Sequence, residues 1–235
     1  MILNLRTPAA ETTLGVVDAG ALLRQTELFA AFGPAAAAAL VGEATRTRFA
    51  RNEQVFAEGD PATELYVVES GRVSISSRAT DGRESMVALM ESGDLFGEMG
   101  LFDGLGRSAG ARALESASLL SVPYPAVRAC FDDQPQLLWD VVGFLSRRLR
   151  VTDSSLADAM LLDVPARTAK RLLELAGDDD EFVLPLTQEE LASLVGASRE
   201  RVNKAIAGFV RLGWILQSGR RYVVVDRAGL EQRAQ

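Results

Sequence analysis

The sequence predicts an α+β fold made of a β jelly roll, a long helix and a C-terminal winged helix-turn-helix. Short apolar runs alternate with turn residues from about residue 49 to 123, and apolar residues then recur every three or four positions. Beyond them, two short amphipathic segments separated by Gly196 precede a hairpin pattern. We therefore expect four parts: a weakly ordered tail at 1–20, a first domain at 21–134, a long helix at 135–162 and a second domain at 163–235.

The first domain is expected to start with a helix and continue as β structure. Leucine and phenylalanine recur at near-helical spacing between Leu22 and Phe32. Five apolar runs then predict strands of an antiparallel sandwich or jelly roll: Val55–Phe56, Leu65–Val68, Val73–Ile75, Met86–Leu89 and Leu119–Val122. Turn residues separate the runs: Glu58-Gly59-Asp60, Ser70-Gly71, Asp81-Gly82, Ser92-Gly93-Asp94 and Gly104–Gly106.

Pro135 opens the long helix, which we expect to end at about Leu162. Its apolar positions follow a strict heptad seam that one hydroxyl side chain, Thr152, interrupts. The seam consists of Leu138, Val142, Leu145, Leu149, Thr152, Leu156 and Ala159. A strict heptad favours a partner helix and hence a homodimer, whereas the alternative is one amphipathic helix packed on its own sandwich.

Asp163-Val164-Pro165 is expected to end the long helix, because proline disfavours helical geometry in the residue before it. A helix at Ala166–Ala176 and an acidic loop containing Asp178–Glu181 should follow. Trp214–Val225 then predicts a two-stranded wing that turns at Ser218-Gly219.

A helix-turn-helix is predicted between the acidic loop and the wing. Thr187 and Glu190 have the spacing of a capping box, Gly196 supplies the turn, and Ser198 can cap the second helix. The polar side chains of this second helix that have no part in its apolar face are Arg199, Glu200, Asn203 and Lys204.

These four side chains predict contact with double-stranded DNA. The first turns of a recognition helix meet base edges in the major groove, where arginine can bridge guanine acceptors and glutamate can accept from cytosine. The chain has a net charge of −7, yet Gly196 to Tyr222 contains six basic residues and one acidic residue, a local charge of +5. The alternatives are a solvated basic face or an ordinary helical hairpin.

Composition excludes several classes of function. The chain has no histidine and one cysteine, Cys130, so zinc sites of cysteine and histidine, iron–sulfur clusters, His-ligated haem and His-assisted nucleophiles are all excluded. A carboxylate-dependent enzyme stays open, but no paired acids are placed to serve one. The start of the chain does not resemble a signal peptide, and no apolar run approaches the roughly 20 residues of a membrane span. We therefore expect a cytoplasmic protein that is not an enzyme and has no membrane partner.

The segment from Phe96 to Leu114 is a glycine-rich loop with an acid at one end and Arg-Ser at the other. Glycines let backbone N–H groups approach a phosphate, and the Arg107 guanidinium and Ser108 hydroxyl can bind its oxygens. Glu98 can accept hydrogen bonds from a sugar hydroxyl. The alternative is a purely structural loop, since loops of this composition are common.

From about Leu22 onward, the chain resembles the cyclic-AMP receptor branch of the CRP/FNR regulator superfamily. Several motifs carry this resemblance and fall in the right order: Gly59 and Gly71 at strand turns, Gly97-Glu98 to Arg107-Ser108-Ala109, the long helix, Val195-Gly196, Ser198-Arg199-Glu200 and Leu212-Gly213-Trp214-Ile215. The resemblance implies that residues 21–134 bind a cyclic nucleotide, 135–162 dimerise and 163–235 bind DNA.

The resemblance also implies site residues. By it, Glu98 holds the ribose 2′-hydroxyl, while Arg107, Ser108 and the Ala109 amide hold the cyclic phosphate. The remaining residues implied for the ligand are Gly97 and Met99 near the sugar, Arg148 tying the pocket together, Ile75 and Val87 lining it, and Thr152 and Asp153 near the adenine. The residues implied for DNA are Gln188, as a phosphate contact, and Ser198, Arg199, Glu200, Asn203 and Lys204.

Two positions depart from the family pattern. Asp153 stands where serine or asparagine is usual, and an ionised carboxylate only accepts hydrogen bonds. It would accept from the adenine amino group and repel the guanine carbonyl, so we expect it to favour cyclic AMP over cyclic GMP. Lys204 stands where arginine is usual and lacks the bidentate fork.

The sequence is thus interpreted as a cyclic-AMP-responsive transcription regulator, which acts as a homodimer on palindromic promoter sites. Its partners are expected to be cyclic AMP, double-stranded DNA and RNA polymerase, with no cofactor besides the allosteric ligand. The segment 163–165 would act as a hinge. Alternatives are a family member that binds DNA without ligand, a regulatory module of an enzyme or channel, and a redox or haem sensor on this scaffold.

Overall fold

The first domain is built on two four-stranded antiparallel sheets. A computed structural model describes residues 18–78 and 84–235 of the protein. The strands of the two sheets are β1 (Thr45–Phe49), β2 (Gln54–Phe56), β3 (Glu64–Ser70), β4 (Val73–Arg78), β5 (Glu84–Met90), β6 (Leu95–Phe96), β7 (Gly110–Ala113) and β8 (Ala117–Pro123). One sheet has the order β1-β8-β3-β6 and the other β2-β7-β4-β5.

The predicted jelly roll is confirmed, and each of the five apolar runs lies in a strand. The core between the sheets contains Tyr66, Val68, Phe96 and Leu119. Sequence patterns did not predict β1, β6 or β7. Strands β1 and β7 carry few large apolar side chains, β6 is only two residues long, and all three depend on pairing with neighbouring strands. The predicted turn at Asp81-Gly82 lies outside the described residues.

In the described part of the first domain there are four helices: α1 (Ala19–Gln25), α2 (Pro34–Glu43), α3 (Met99–Asp103) and α4 (Tyr124–Asp133). Leu22, Phe29 and Phe131 pack with Leu65 and with other side chains of β3 and β8 in a second core. Helix α1 begins within the expected tail of residues 1–20, of which residues 1–17 lie outside the described part. Helix α4 was not predicted.

The long helix is confirmed, and it has two different faces. A single 3-10 turn, Pro135–Leu137, leads into α5 (Leu138–Leu161). Val141 and Phe144 are buried against the first domain, whereas four residues of the predicted seam are 45–61% exposed: Leu138, Val142, Leu149 and Leu156. The face packed on its own domain and the heptad seam therefore coexist on one helix, and they meet at Leu145 of the seam, which is partly buried against the same core.

The second domain contains four helices and one antiparallel sheet. Its helices are α6 (Val164–Ala176), α7 (Gln188–Val195), α8 (Arg199–Arg211) and α9 (Arg227–Arg233), and its strands are β9 (Glu181–Val183), β10 (Ile215–Ser218) and β11 (Arg221–Val224). The wing has three strands and not two, because β9 pairs with the far side of β11. The stacked rings of Phe182 and Tyr222, with centroids 5.5 Å apart, hold this third strand in place.

The break after α5 was predicted at Val164, the residue before Pro165, but it lies earlier in the chain. Leu162 and Asp163 have extended backbones, while Val164 is already helical although it precedes Pro165. Proline is compatible with the first turn of a helix, where its missing N–H has no intrahelical partner. The Asp163 carboxylate caps α6 by accepting from the Ala166 N–H at 2.9 Å.

The helix-turn-helix forms as predicted. The Thr187 hydroxyl accepts from the Glu190 N–H, and the Glu190 carboxylate accepts from the Thr187 N–H, which completes the capping box. Gly196 ends α7 in the left-handed region at φ +69°, and the Ser198 hydroxyl caps α8. Within the described ranges, no helix is both long and apolar enough to cross a membrane.

Asp163 should stabilise the second domain in a pH-dependent way. Its pKa is lowered from the ordinary value, first by the Ala166 N–H and then by Arg233, whose guanidinium lies 2.6 Å from the carboxylate. Since the folded pKa lies below the unfolded one, the stabilisation is present above pH of about 4 and is lost as pH falls through the folded value.

We expect Asp163→Ala to lower the free energy of unfolding by about 1 kcal/mol at pH 7, the usual cost of losing an N-cap. Asp163→Asn keeps a capping acceptor and loses only the exposed ion pair, so its loss should be smaller. Urea denaturation at pH 7 and at pH 3 measures both variants. Equal stability of the two variants and the unmodified protein at pH 7 would contradict the role of this carboxylate.

Candidate ligand pocket and nucleic-acid interface

A small pocket lies between the β sandwich, the glycine-rich segment and α5. Its cavity volume is about 50 Å³, and it opens into a cleft of about 1200 Å³ that reaches α6 and α7. The pocket is lined by Phe56, Ile75, Phe96, Gly97, Glu98, Met99, Gly100, Arg107, Ser108, Ala109 and Arg148. Eight of these residues are in the set that the resemblance implied, so the fold brings most of that set together.

Arg107 is the buried cation of this pocket, with a residue exposure of 6%. Its Nη1 donates to the carbonyl oxygens of Glu64 at 2.8 Å and Gly97 at 2.9 Å. Its guanidinium carbon lies 4.2 Å from the centroid of the Phe56 ring. Its Nε is buried without a hydrogen-bond partner among the described residues. A buried charged donor without a partner is costly, so this geometry suits an anionic ligand.

Two glycines allow the backbone to close around Arg107. Gly97 lies at φ +77°, and a Cβ there would stand 2.7 Å from Arg107 Nη1. A Cβ on Gly106 would stand 3.0 Å from the carbonyl oxygens of Gly59 and Asp60. The Arg107 N–H donates to Asp60 and its carbonyl accepts from the Gly59 N–H, so the turn between β2 and β3 fixes the arginine.

Glu98 is 1% exposed and pairs with Arg148 of α5 at 2.5 Å. This ion pair joins the glycine-rich segment to the long helix directly. Tyr124 lies nearby and donates its hydroxyl to the Gly97 carbonyl. Burial raises the pKa of Tyr124, which keeps the phenol neutral and able to donate.

The other predicted ligand residues either line both cavities, line only the cleft, or, in the case of Asp153, line neither. Ile75, Met99, Ser108 and Ala109 line both the pocket and the cleft, and the Ser108 hydroxyl lies 3.2 Å from Met99 Sδ. Val87 and Thr152 line only the cleft. Val87 is 59% exposed, so the structure does not make it part of the inner pocket. The Thr152 hydroxyl donates to the Arg148 carbonyl at 3.0 Å.

Asp153 is exposed on α5 and lines neither cavity. It lies one residue beyond Thr152 on the same helix. The proposed contact with a base can therefore come only from a second copy of the chain.

Sequence reasoning missed three pocket residues, Phe56, Phe96 and Gly100. Phe56 was counted as a strand residue and Phe96 as the start of the glycine-rich segment. Their rings lie 6.0 Å apart, and the Phe56 ring lies against Arg107. Gly100 carried no local signal, although a Cβ there would stand 2.5 Å from the Ala62 side chain. An aromatic residue in a strand is normally core, so only the fold shows that the Phe56 ring flanks a cation.

The residues predicted for the recognition helix lie on an open surface. The side chains of Arg199, Glu200, Asn203 and Lys204 are exposed and form no hydrogen bond or ion pair with another described residue. Val202, Ile206 and Phe209 are the buried face of the same helix. The first two turns of α8 are therefore available to a partner.

Other basic and polar residues of this region are already engaged. Arg220 donates to the Leu184 carbonyl, and Arg221 pairs with Glu181. Gln188 donates to the Tyr222 hydroxyl at 3.1 Å, and its Oε1 is buried without a partner within the described residues. The basic surface therefore centres on α8, and Gln188 joins α7 to the wing.

Two family models match the chain. Residues 46–134 match the cyclic nucleotide-binding domain, and residues 166–233 match the Crp-like helix-turn-helix domain. The first range contains the whole predicted phosphate cassette, and the second contains the helix-turn-helix and the wing.

The chain is similar to known proteins over most of its length. It is 40% identical over 220 residues to the CRP-like cAMP-activated global transcriptional regulator of Mycobacterium tuberculosis, covering 91% of this chain and 98% of that one. Its fold is similar to FixK2 from Bradyrhizobium japonicum, with a TM-score of 0.75 and 23% identity over 82% of this chain and 98% of that one. The regulator CLP of Xanthomonas campestris gives a TM-score of 0.70 and 29% identity, over 82% and 99% respectively. The resemblance found in the motifs is confirmed, and the chain belongs to the CRP/FNR family of transcriptional regulators.

Proposed function

We propose that this regulator binds cyclic AMP in the Arg107 pocket and binds DNA as a homodimer on palindromic promoter sites. The observation that carries the ligand assignment is the buried Arg107 guanidinium, whose Nε has no partner among the described residues while its Nη1 is held by two carbonyls. Residues 21–134 are then the ligand domain, 135–162 the dimerisation helix and 163–235 the DNA-binding domain.

The pocket offers a cyclic nucleotide both kinds of contact that it needs. Arg107, Ser108 and the Ala109 amide bind the cyclic phosphate as charge-assisted and neutral donors. A carboxylate has about four lone-pair sites, so Glu98 can accept from the ribose 2′-hydroxyl while it pairs with Arg148. The sugar and phosphate occupy the inner pocket, and the base extends into the cleft beside Thr152.

The exposed seam of α5 supports the homodimer. Apolar side chains on one helix face that are half exposed or more, at heptad spacing, lose contact with water when a second copy packs against them. In such a dimer, Asp153 of the partner subunit completes the wall of the cleft, which Thr152 of this chain already lines. A two-fold dimer presents two recognition helices to half-sites about 34–36 Å apart.

On DNA, Arg199 and Glu200 read base edges in the major groove, and Lys204 adds a positive charge with softer guanine recognition than arginine. Asn203 lies on the same open face. Gln188, the first residue of α7, is proposed to contact a DNA phosphate. RNA polymerase is proposed as a protein partner. The proposed setting is the cytoplasm.

The function is tested by selecting DNA from a random library with the purified full chain. We expect palindromic sites to be enriched with cyclic AMP and not with cyclic GMP or with no nucleotide. A cyclic-di-GMP arm is included because CLP is described as c-di-GMP responsive. Enrichment independent of any nucleotide would favour the ligand-independent alternative, and no enrichment in any arm would refute DNA binding.

Gly97→Ala should disable the pocket. The new Cβ would displace Arg107 Nη1, and losing a charged hydrogen bond costs about 1.5–3 kcal/mol, or about 10- to 100-fold in cyclic AMP affinity. Gly104→Ala is the matched control, because it lies in the same segment at φ +71° with nothing within 4 Å of its Cβ. Calorimetric titration compares the two. Equal affinities would contradict the assignment.

Asp153→Asn should reduce the preference for cyclic AMP over cyclic GMP. An amide can also donate to the guanine carbonyl, so we expect the ratio of the two affinities to fall by about tenfold. Asp140→Asn is the control, since it removes the same charge from an exposed position in the first turn of α5. An unchanged ratio measured by calorimetry in Asp153→Asn would refute the role of Asp153.

A further inference from the structure

Arg167 of α6 connects the ends of two other helices through their main-chain carbonyls. Its Nη1 donates to Leu162 at 2.7 Å and to Ala159 at 3.5 Å, both at the C-terminal end of α5. Its Nε donates to Val195 at 3.0 Å and its Nη2 to Gly196 at 3.4 Å, both at the end of α7. One guanidinium therefore contacts the end of the long helix and the turn of the helix-turn-helix.

The position of the Arg167 side chain suits a cation, and it suits arginine better than lysine. The last carbonyls of a helix have no intrahelical partner, and the helix dipole places partial negative charge there. Two such ends meet at Arg167, and the planar fork of arginine serves both at once, which the single ammonium of lysine does not. This explains why the hydrogen bonds of this basic side chain of α6 go to backbone carbonyls.

The turn held by Arg167 sets the direction of the recognition helix. Val195 and Gly196 lead through Ala197 directly to Ser198, the cap of α8. Three residues thus separate the Val195 carbonyl from the start of the helix that carries Arg199 and Glu200. A movement of the α5 end is passed to α8 through a short and hydrogen-bonded path.

A second contact holds α7 against the ligand domain. The Ser193 hydroxyl accepts from the Met86 N–H of β5 at 2.8 Å. Strand β5 is the edge of its sheet and lines the same cleft, as do Arg167 and Gly196. The end of α7 is therefore fixed from two sides, by β5 and by the end of α5 through Arg167.

We propose that Arg167 is a positioning residue that transmits the state of α5 to the recognition helix, so that segment 163–165 does not act as a free hinge. This proposal rests on the proposed function for its ligand response, but the contacts that define it exist independently of any ligand. Arg167 touches neither the pocket residues Arg107 and Glu98 nor the exposed face of α8.

The test compares Arg167→Met, Arg167→Lys and the control Arg171→Met in the full chain. Arg171 lies one turn further along α6, and its ion pair among the described residues is with Glu174 of its own helix. Each protein is titrated with cyclic AMP alone and with selected duplex DNA in the presence and absence of cyclic AMP. Hydrogen exchange is measured in peptides covering residues 159–163 and 192–198.

We expect Arg167→Met to reduce the ratio of DNA affinities with and without cyclic AMP by about 2- to 30-fold, while its cyclic AMP affinity without DNA stays within about twofold. Exchange in both peptides should accelerate by about tenfold. Arg167→Lys should show a smaller effect in both measurements and guards against a folding failure of the methionine variant. Arg171→Met should match the unmodified protein.

The outcomes separate this proposal from the proposed function. If the unmodified protein shows no response to cyclic AMP, the proposed ligand is wrong, and the exchange data still decide the role of Arg167. Unchanged exchange in both peptides of folded Arg167→Met overturns the proposal. An unchanged affinity ratio in a protein that does respond to cyclic AMP overturns it as well.

Discussion

The binding site depends on one buried guanidinium and on the backbone that closes around it. Arg107 lies against the ring of Phe56, donates to two carbonyls and keeps a third donor unpaired among the described residues. Burying a charge is costly unless it is paired and hydrogen-bonded, so every neighbour must suit that cation. The absence of a side chain at Gly97 and Gly106 is one consequence of this constraint, and the ion pair of the adjacent Glu98 with α5 is another.

A second arginine binds backbone carbonyls in the same way at the C-terminal end of α5. Arg107 binds carbonyls of strands and turns in the ligand domain, and Arg167 binds carbonyls at two helix ends beside the DNA-binding unit. In both cases an arginine holds backbone and not a mobile acid, which fixes the position of whole elements. Helix α5 connects the two, because Arg148 lies near its middle and Leu162 follows its C-terminal end.

The parts of the fold that the sequence predicted are those whose signal is local. The heptad of α5, the capping box at Thr187 and the left-handed Gly196 are readable because adjacent residues determine them. Strand β1 was not, because its Thr-Arg-Thr-Arg-Phe sequence becomes a strand by pairing with β8 in register from Thr45 to Phe49. The third wing strand was hidden in an acidic run, where Phe182 packs on a ring 40 residues further along the chain.

In the candidate site too, residues with a local sequence signal were predictable and residues from distant segments were not. The glycine-rich segment supplied Glu98, Arg107 and Ser108 from one stretch of sequence, so the core of the pocket was predictable. Phe56 comes from a distant strand, and no pattern in its neighbourhood indicates that it flanks a cation. Val87 lies on a strand of the correct sheet but lines only the outer cleft, since side-chain exposure depends on what packs above the sheet.

Helix α5 limits how a ligand in this pocket can act. It is buried against the sandwich at Val141 and Phe144, paired to Glu98 through Arg148 and exposed along its seam. A ligand shifts an equilibrium between conformations only if its contacts differ between them, and Arg148 is the contact that joins the pocket to the helix. In the proposed function, the difference in ligand-binding free energy between the two conformations changes the affinity of the recognition helix for DNA. Because thermodynamic coupling is reciprocal, DNA must then raise the affinity for the ligand by the same factor by which the ligand raises the affinity for DNA.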